Sequence, residues 1–198
     1  MRKNFIWAIV LLNLILLPTL YWLGHPAFLH GASGTANADL PVYGQMPDFK
    51  LTQQDGKIFD DKKMRGHIWL ADFMFTRCPN QCPMMSVKFG ALQGSLPSDV
   101  RLVSFSVDPE HDDTAALKNY AGTYGAKEGR WIFLTGETAV IHSIMSRLHL
   151  GNDNDPNMHS LRFVLLDKDL RVRGYYDSTD SASLDAMKKD VGQLRKAR

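Results

Sequence analysis

The chain opens with an apolar run from Phe5 to Leu23 that carries no charge and only Asn13 and Thr19 as plainly polar residues. At roughly 1.5 Å per residue this run nearly spans the ~30 Å hydrocarbon core of a bilayer, so it predicts one membrane-crossing helix. Pro18 is tolerated near the end of such a helix. From about Met46 the pattern changes. PDFKLTQQDGKIFD reads as two short strands around Asp55-Gly56, a hairpin signal. HIWLADFMF (67–75) is almost continuously apolar and suits a central strand buried on both faces. A helix is predicted from about Pro83 to Leu92, then a second buried strand at RLVSFSVD (101–108). Asp112-Asp113-Thr114 supplies acidic and capping residues for a helix reaching Tyr120 or Tyr124. WIFLTG follows as a third short strand, and Glu137 to Leu150 as a further helix. LRFVLLD (161–167) and RVRGYYD (171–177) flank Lys168-Asp169 as a second hairpin, and Ser181 is expected to cap the final helix. Strands alternating with helices, then a hairpin and a helix, predict an α/β three-layer domain.

Charge places that domain. Arg2 and Lys3 precede the apolar run, which favours a cytoplasmic N-terminus and everything after Leu23 on the outer side. A cleaved signal peptide ending at Ala36-Asn37-Ala38 is the competing reading. The run is longer than a signal core and that site lies far downstream, so an uncleaved anchor is the better reading. Either route exports the domain. The expected organisation is a cytoplasmic 1–4, an anchor over 5–23, a linker over 24–46 and one domain over 47–198. GASGTANAD, small and polar, suits the linker. The chain has 23 Lys+Arg against 21 Asp+Glu, and Arg2 and Lys3 account for the excess. A balanced exported domain excludes nucleic acid or another polyanion as the expected partner.

The only two cysteines lie in FTRCPNQCPMM, at Cys78 and Cys82. Their spacing is neither the C-x-x-C of a thioredoxin-type dithiol nor half of a four-cysteine zinc site, and no haem-attachment motif is present. Cys78 falls just past the carboxyl end of the first central strand, where open α/β sheets place ligands. Pro79 and Pro83 suit a loop entering a helix. If the helix begins near Cys78, the i, i+4 spacing puts both thiols on one face, with thiolate character gained from the helix N-terminus. Such a pair either closes a disulfide or binds a soft metal. A purely structural disulfide fits less well, because a lone bridge stabilises most when it closes a long loop.

A third ligand would separate these possibilities. Of the seven histidines, His25 and His30 lie in or beside the anchor and tether, and His67 begins a buried strand. His111 sits in a turn, and His142 and His149 lie in a predicted helix. His159 differs: it follows the loop GNDNDPNM and immediately precedes the strand LRFVLLD, a place for a loop-borne ligand on a rigid sheet. Met84, Met85 and Met158 are further candidate thioether ligands, although helix packing explains Met84 and Met85 more simply.

FTRCPNQCPMM, VSFSVDPEHDDTAALKNYA, WIFLTG and HSLRFVLLDKDLRVRGYYD, in that order, resemble the Sco/SenC family of membrane-anchored, thioredoxin-like copper proteins. The resemblance covers the chain from about Met46 and extends to the N-terminal anchor. It implies a thioredoxin-like domain with an extra N-terminal hairpin, preceded by one transmembrane helix. It also implies copper ligands at Cys78, Cys82 and His159, with Asp108 as the aspartate of the family's VDP turn. Family members often carry Asp before the histidine, where this chain has Met158. Two thiolates and one imidazole form a soft set suited to Cu(I) and able to hold Cu(II), whereas structural zinc would want a fourth ligand.

The function expected from this is a copper metallochaperone. It would face the periplasm or exterior from a bacterial inner membrane, and deliver copper to a cytochrome c oxidase subunit or another copper chaperone. The alternative is a thiol–disulfide reductase, with Cys78 and Cys82 as its redox pair, keeping a metal acceptor's cysteines reduced. A thiol peroxidase on the same fold would use Thr76 and Arg77, but paired, proline-flanked cysteines suit it poorly.

Overall fold

The computed structural model describes residues 40–150 and 161–197. These residues build one eight-stranded sheet in the order β1-β8-β7-β4-β5-β6-β2-β3. The strands are β1 (Gly44–Gln45), β2 (Lys50–Gln53), β3 (Ile58–Asp60), β4 (Ile68–Met74), β5 (Val100–Ser106), β6 (Trp131–Thr135), β7 (Arg162–Leu166) and β8 (Arg171–Asp177). The helices are α1 (Asp61–Met64), α2 (Gln81–Ser95), α3 (Thr114–Thr123), α4 (Thr138–Arg147) and α5 (Ser181–Lys196).

The central trio β4, β5 and β6 is parallel, and β7 joins β4 antiparallel. Every residue of β4 is buried, as its almost continuous apolar run predicts. Alternation then sorts its side chains between two cores. Trp69, Ala71 and Phe73 pack in a cluster with Ile141, Ile144 and Met145 of α4. Ile68, Leu70 and Met74 pack in another with α2 (Phe89, Leu92), α3 (Leu117, Tyr120) and α5 (Met187, Val191). Helices therefore cover both faces, giving three layers.

Both predicted hairpins form. β2 and β3 pair around a turn in which Gly56 has φ +83°, a left-handed conformation that suits glycine, and Gly56 N–H donates to the Gln53 carbonyl at 2.8 Å. β7 and β8 pair with Arg162 opposite Asp177. Capping differs by one residue at the last helix. Asp180, not Ser181, caps α5, its carboxylate accepting from the N–H groups of Ala182 and Ser183 at 3.1 Å each. Asp113 alone caps α3, leaving Asp112 for another task.

Residues 40–46, expected at the end of the linker, lie along the sheet edge. Gly44 and Gln45 pair with Val172 and Arg171, and the buried Arg173 guanidinium donates to the carbonyls of Leu40 and Pro41. The same guanidinium holds the Asp167 carboxylate at 2.7 Å. Nothing in RVRGYYD marks the second of its two arginines as such a clamp, so the linker's end was not legible from composition. The expected anchor over 5–23 lies outside the described residues; among those described, no helix is long and apolar enough to cross a membrane.

Candidate metal and dithiol site

The carboxyl ends of β4 and β5 form one pole of the sheet, and the loops leaving them carry the candidate chemistry. α2 begins at Gln81, so Cys78 lies in the turn before it and Cys82 is its second residue. The two cysteines therefore do not share a helical face, because the helix begins after Cys78. The Cys82 backbone N–H donates to the Cys78 sulfur at 3.3 Å. Pro83, third in the helix, sits where the backbone N–H has no partner within the helix, so its missing donor costs little.

Both cysteines are present as thiols, and their surroundings differ. Cys82 is 0 % exposed and packs with Met85 and Phe89, whereas Cys78 is half-buried. Burial pushes the Cys78 thiol up, but the Cys82 thiol and the backbone N–H groups of Cys82, Asn80 and Gln81 outweigh it, so its pKa falls below the ordinary value. Cys82 moves the other way: burial raises it strongly, and the neighbouring Cys78 and Asp72 add to the rise. Cys78 is therefore the accessible and more readily ionised thiol, and Cys82 the shielded partner.

Asp72 interrupts the apolar register of β4 on the α2-bearing face. It is 0 % exposed, and neither carboxyl oxygen has a hydrogen-bond partner among the described residues. Burial pushes its carboxyl up to about 7. Ser104, opposite on β5, offsets a little of this without a hydrogen bond of ordinary geometry, its hydroxyl accepting instead from Trp131 Nε1 at 2.9 Å. The signal for Asp72 was visible as the one charge within IWLADFM, yet the run reads as a plain buried strand.

The loop after β5 meets the cysteine loop. Arg77 bridges Asp108 at 3.0 Å, and His111 Nδ1 reaches the other Asp108 oxygen at 2.7 Å. Burial raises the Asp108 carboxyl, but His111 and Arg77 hold it below the usual carboxylate value. Thr76 bonds the buried Asp112 through its N–H and its hydroxyl. The methionine pair divides: Met85 is 1 % exposed in the core, while Met84 is 55 % exposed. Core packing accounts for Met85 and not for Met84. His142 is half-buried on α4 and His149 is exposed.

His159 and Met158 lie outside the described residues. Arg162, which opens β7, lies toward the carboxyl end of β4, since Ala71 pairs with Val164 and Trp69 with Leu166 in antiparallel register. Among the described residues, no cluster of three or more His, Cys, Asp or Glu side chains forms a metal-sized group.

A family model for SCO1/SenC matches residues 41–194. The chain belongs to the SCO1/SenC family. A SCO1 protein homolog of Bacillus subtilis is 33% identical over 173 residues, covering 83% of this chain and 89% of that protein. Among solved structures this Sco chain resembles BsSco, described as carrying a disulfide switch and as a member of the Sco family of cytochrome c oxidase assembly proteins. The TM-score is 0.71 at 30% identity, over 80% of this chain and 98% of that one. Arabidopsis thaliana ScoI, solved with copper bound, gives a TM-score of 0.63 at 25% identity over 74% of this chain and 98% of that one. The fold is accordingly the thioredoxin-like α/β fold of Sco proteins.

Two predictions follow from the thiol and carboxyl environments. In the reduced chain at pH 7, iodoacetamide should alkylate Cys78 at least about tenfold faster than Cys82, because reactivity follows thiolate character and access. Peptide mass spectrometry reads the order, and equal rates would contradict the assigned asymmetry. For Asp72 the folded state holds its proton more tightly than the unfolded chain, with values of about 7 and 3.8. The folded state thus binds more protons between those values, and stability falls as pH rises from about 4 to about 7. Asp72→Asn removes that slope. In urea unfolding the variant should gain on wild type by up to ~4 kcal/mol at pH 8 and little at pH 4. A constant difference across that range would show that Asp72 does not titrate there.

Proposed function

We propose that this Sco chain is a copper metallochaperone that binds copper through Cys78, Cys82 and His159 and passes it to a cytochrome c oxidase copper centre. The observation that carries the reading is the dithiol itself. With the Cys82 N–H on the Cys78 sulfur at 3.3 Å, the two residues are close enough to offer one ion two sulfur ligands. Paired thiolates select Cu(I) over harder ions, and one added imidazole would also let the set hold Cu(II). The copper-bound Arabidopsis thaliana relative and the oxidase-assembly description of BsSco support the same cargo and recipient. Support for His159 comes from topology: β7 opens toward the pole that carries the cysteines, and His159 lies three residues before Arg162 in sequence.

Copper uptake has a proton cost that falls on Cys82. Its raised thiol must release a proton to become a ligand, so apparent affinity should climb with pH through the neutral range. Cys78 meets an incoming ion first, being the more exposed and the more readily ionised of the two.

The asymmetry of the thiols also favours a second reading, a thiol–disulfide reductase. A thiolate at Cys78 can attack a partner's disulfide, and Cys82 can then resolve the mixed disulfide. Thr76 and Arg77, which a peroxidase would need beside its cysteine, are instead engaged with Asp112 and Asp108.

In the proposed arrangement residues 5–23 anchor the chain in the bacterial inner membrane, with the Sco domain in the periplasm or exterior. The charges of Arg2 and Lys3 ahead of an uncharged run support it. A reporter enzyme that works only outside the cytoplasm, fused after Arg198, should be active; activity of a cytoplasm-only reporter there would overturn the topology.

The copper assignment is tested by titrating the reduced chain against a competing chelator. Wild type should take up one copper per chain and the oxidised chain essentially none, because only thiolates bind the ion. Cys78→Ser/Cys82→Ser should lose binding. His159→Ala should retain weakened Cu(I) binding and lose Cu(II), while Cys78–Cys82 still oxidises and reduces at near wild-type rates. Wild-type affinity of His159→Ala for both ions would remove His159 from the site. Undiminished uptake by the double cysteine variant would sink the reading altogether.

A further inference from the structure

One buried carboxylate at this pole takes no part in the dithiol. Asp112 is 0 % exposed, and its two oxygens accept from Thr76 N–H at 3.2 and 3.1 Å, from the Thr76 hydroxyl at 2.5 Å and from the Ser106 hydroxyl at 2.5 Å. Thr76 lies two residues before Cys78, Ser106 ends β5, and Asp112 closes the loop that follows β5. A single side chain therefore joins the cysteine loop to the end of the neighbouring strand.

Burying a carboxylate is costly even when hydrogen-bonded, so its presence calls for a reason. Helix capping is not that reason. Asp113, the next residue, caps α3 by accepting from Ala116 N–H at 2.7 Å. Among the described residues the loops have one other charged tie, Arg77 to Asp108, but that guanidinium is exposed and such surface pairs hold little. Asp112 is the tie shielded from water, where hydrogen bonds to a charged acceptor are strongest.

We propose that Asp112 is the positioning residue of the copper site. By holding both the N–H and the hydroxyl of Thr76, it fixes the backbone that leads into Cys78, and hence where the Cys78 sulfur stands relative to Cys82. The proposal rests on the reading of Cys78 and Cys82 as copper ligands. A two-sulfur site binds tightly only if the sulfurs are held at the separation the ion needs, and groups that orient ligands typically govern 10- to 100-fold in affinity.

The test uses the full-length chain in detergent, reduced, with four variants. Asp112→Asn keeps size but offers one acceptor oxygen, too few for all its donors. Thr76→Val keeps the backbone N–H and deletes the hydroxyl, Thr76→Ser keeps both, and Cys78→Ser/Cys82→Ser is the ligand control. Each is titrated with Cu(I) against a chelator and with Cu(II) by its thiolate-to-copper absorption, at a temperature where thermal melts show it folded. Asp112→Asn should bind copper about tenfold or more weakly with a shifted absorption band, Thr76→Val should fall between it and wild type, and Thr76→Ser should match wild type. Wild-type affinity and band in Asp112→Asn would overturn the proposal. If Asp112→Asn does not fold, Thr76→Val decides, and an unchanged affinity and band there overturns it. Copper retained by the double cysteine variant would refute the ligand reading instead. The Cys78–Cys82 equilibrium with a dithiol buffer would then test the positioning role without metal. It is expected to shift several-fold in Asp112→Asn and Thr76→Val, and no shift would overturn the proposal.

Discussion

Burial of β4 along its whole length is the constraint around which the described residues are arranged. From Ile68 to Met74 the strand pairs residue for residue with β5 on one side, and Trp69 to Ala71 pair with β7 on the other. Both faces are covered by helices, so a side chain on this strand has no route to solvent. Reactive groups that must meet a partner are therefore confined to the loops where β4 and β5 end, as in other open α/β sheets. The cysteine loop follows β4 directly, and the loop holding Asp108, His111 and Asp112 follows β5. Their proximity is a consequence of strand pairing, Met74 lying opposite Ser106.

The unequal cysteines follow from the same constraint. α2 must lay Met85, Phe89 and Leu92 on the sheet, and Cys82, in its first turn, is buried with them. Cys78, one turn earlier and outside the helix, keeps access to water. Asp72 adds a carboxyl on that buried face, and its influence on Cys82 opposes a second negative charge there. A thiol so placed resists ionisation until a cation compensates it. On the proposed function, the resting dithiol thus holds one thiol that ionises readily and one whose ionisation the metal itself would help.

Much of this was legible in the sequence because the relevant signals were local. The β4 run, the Asp55-Gly56 turn, the β7–β8 hairpin and the paired cysteines each announce themselves within a dozen residues. What escaped depends on contacts between distant segments. Asp112 reads as a cap because Asp112-Asp113-Thr114 offers a choice of acids, and only packing against Thr76, 36 residues away, assigns it elsewhere. Arg173 reads as an ordinary strand arginine, yet it secures residues more than 130 positions upstream. Met84 and Met85 looked alike, and only the turn of α2 separates the exposed one from the buried one. His159 was singled out by its place in the chain, and it lies outside the described residues.

The two proposed activities are two states of one dithiol rather than rival uses of the domain. Oxidation to a Cys78–Cys82 bond would consume both thiolates, so copper binding and disulfide formation exclude each other by stoichiometry. Little rearrangement need accompany the change, because the Cys82 backbone already lies against the Cys78 sulfur. The oxidation state of the pair would then decide whether the domain can accept copper. In the oxidised pair only the Cys78 sulfur would be open to an external thiol, whose attack would release Cys82 as a thiol, and a second external thiol would then free Cys78 from the mixed disulfide. Chaperone and redox protein would differ only in which reactant reaches that sulfur first.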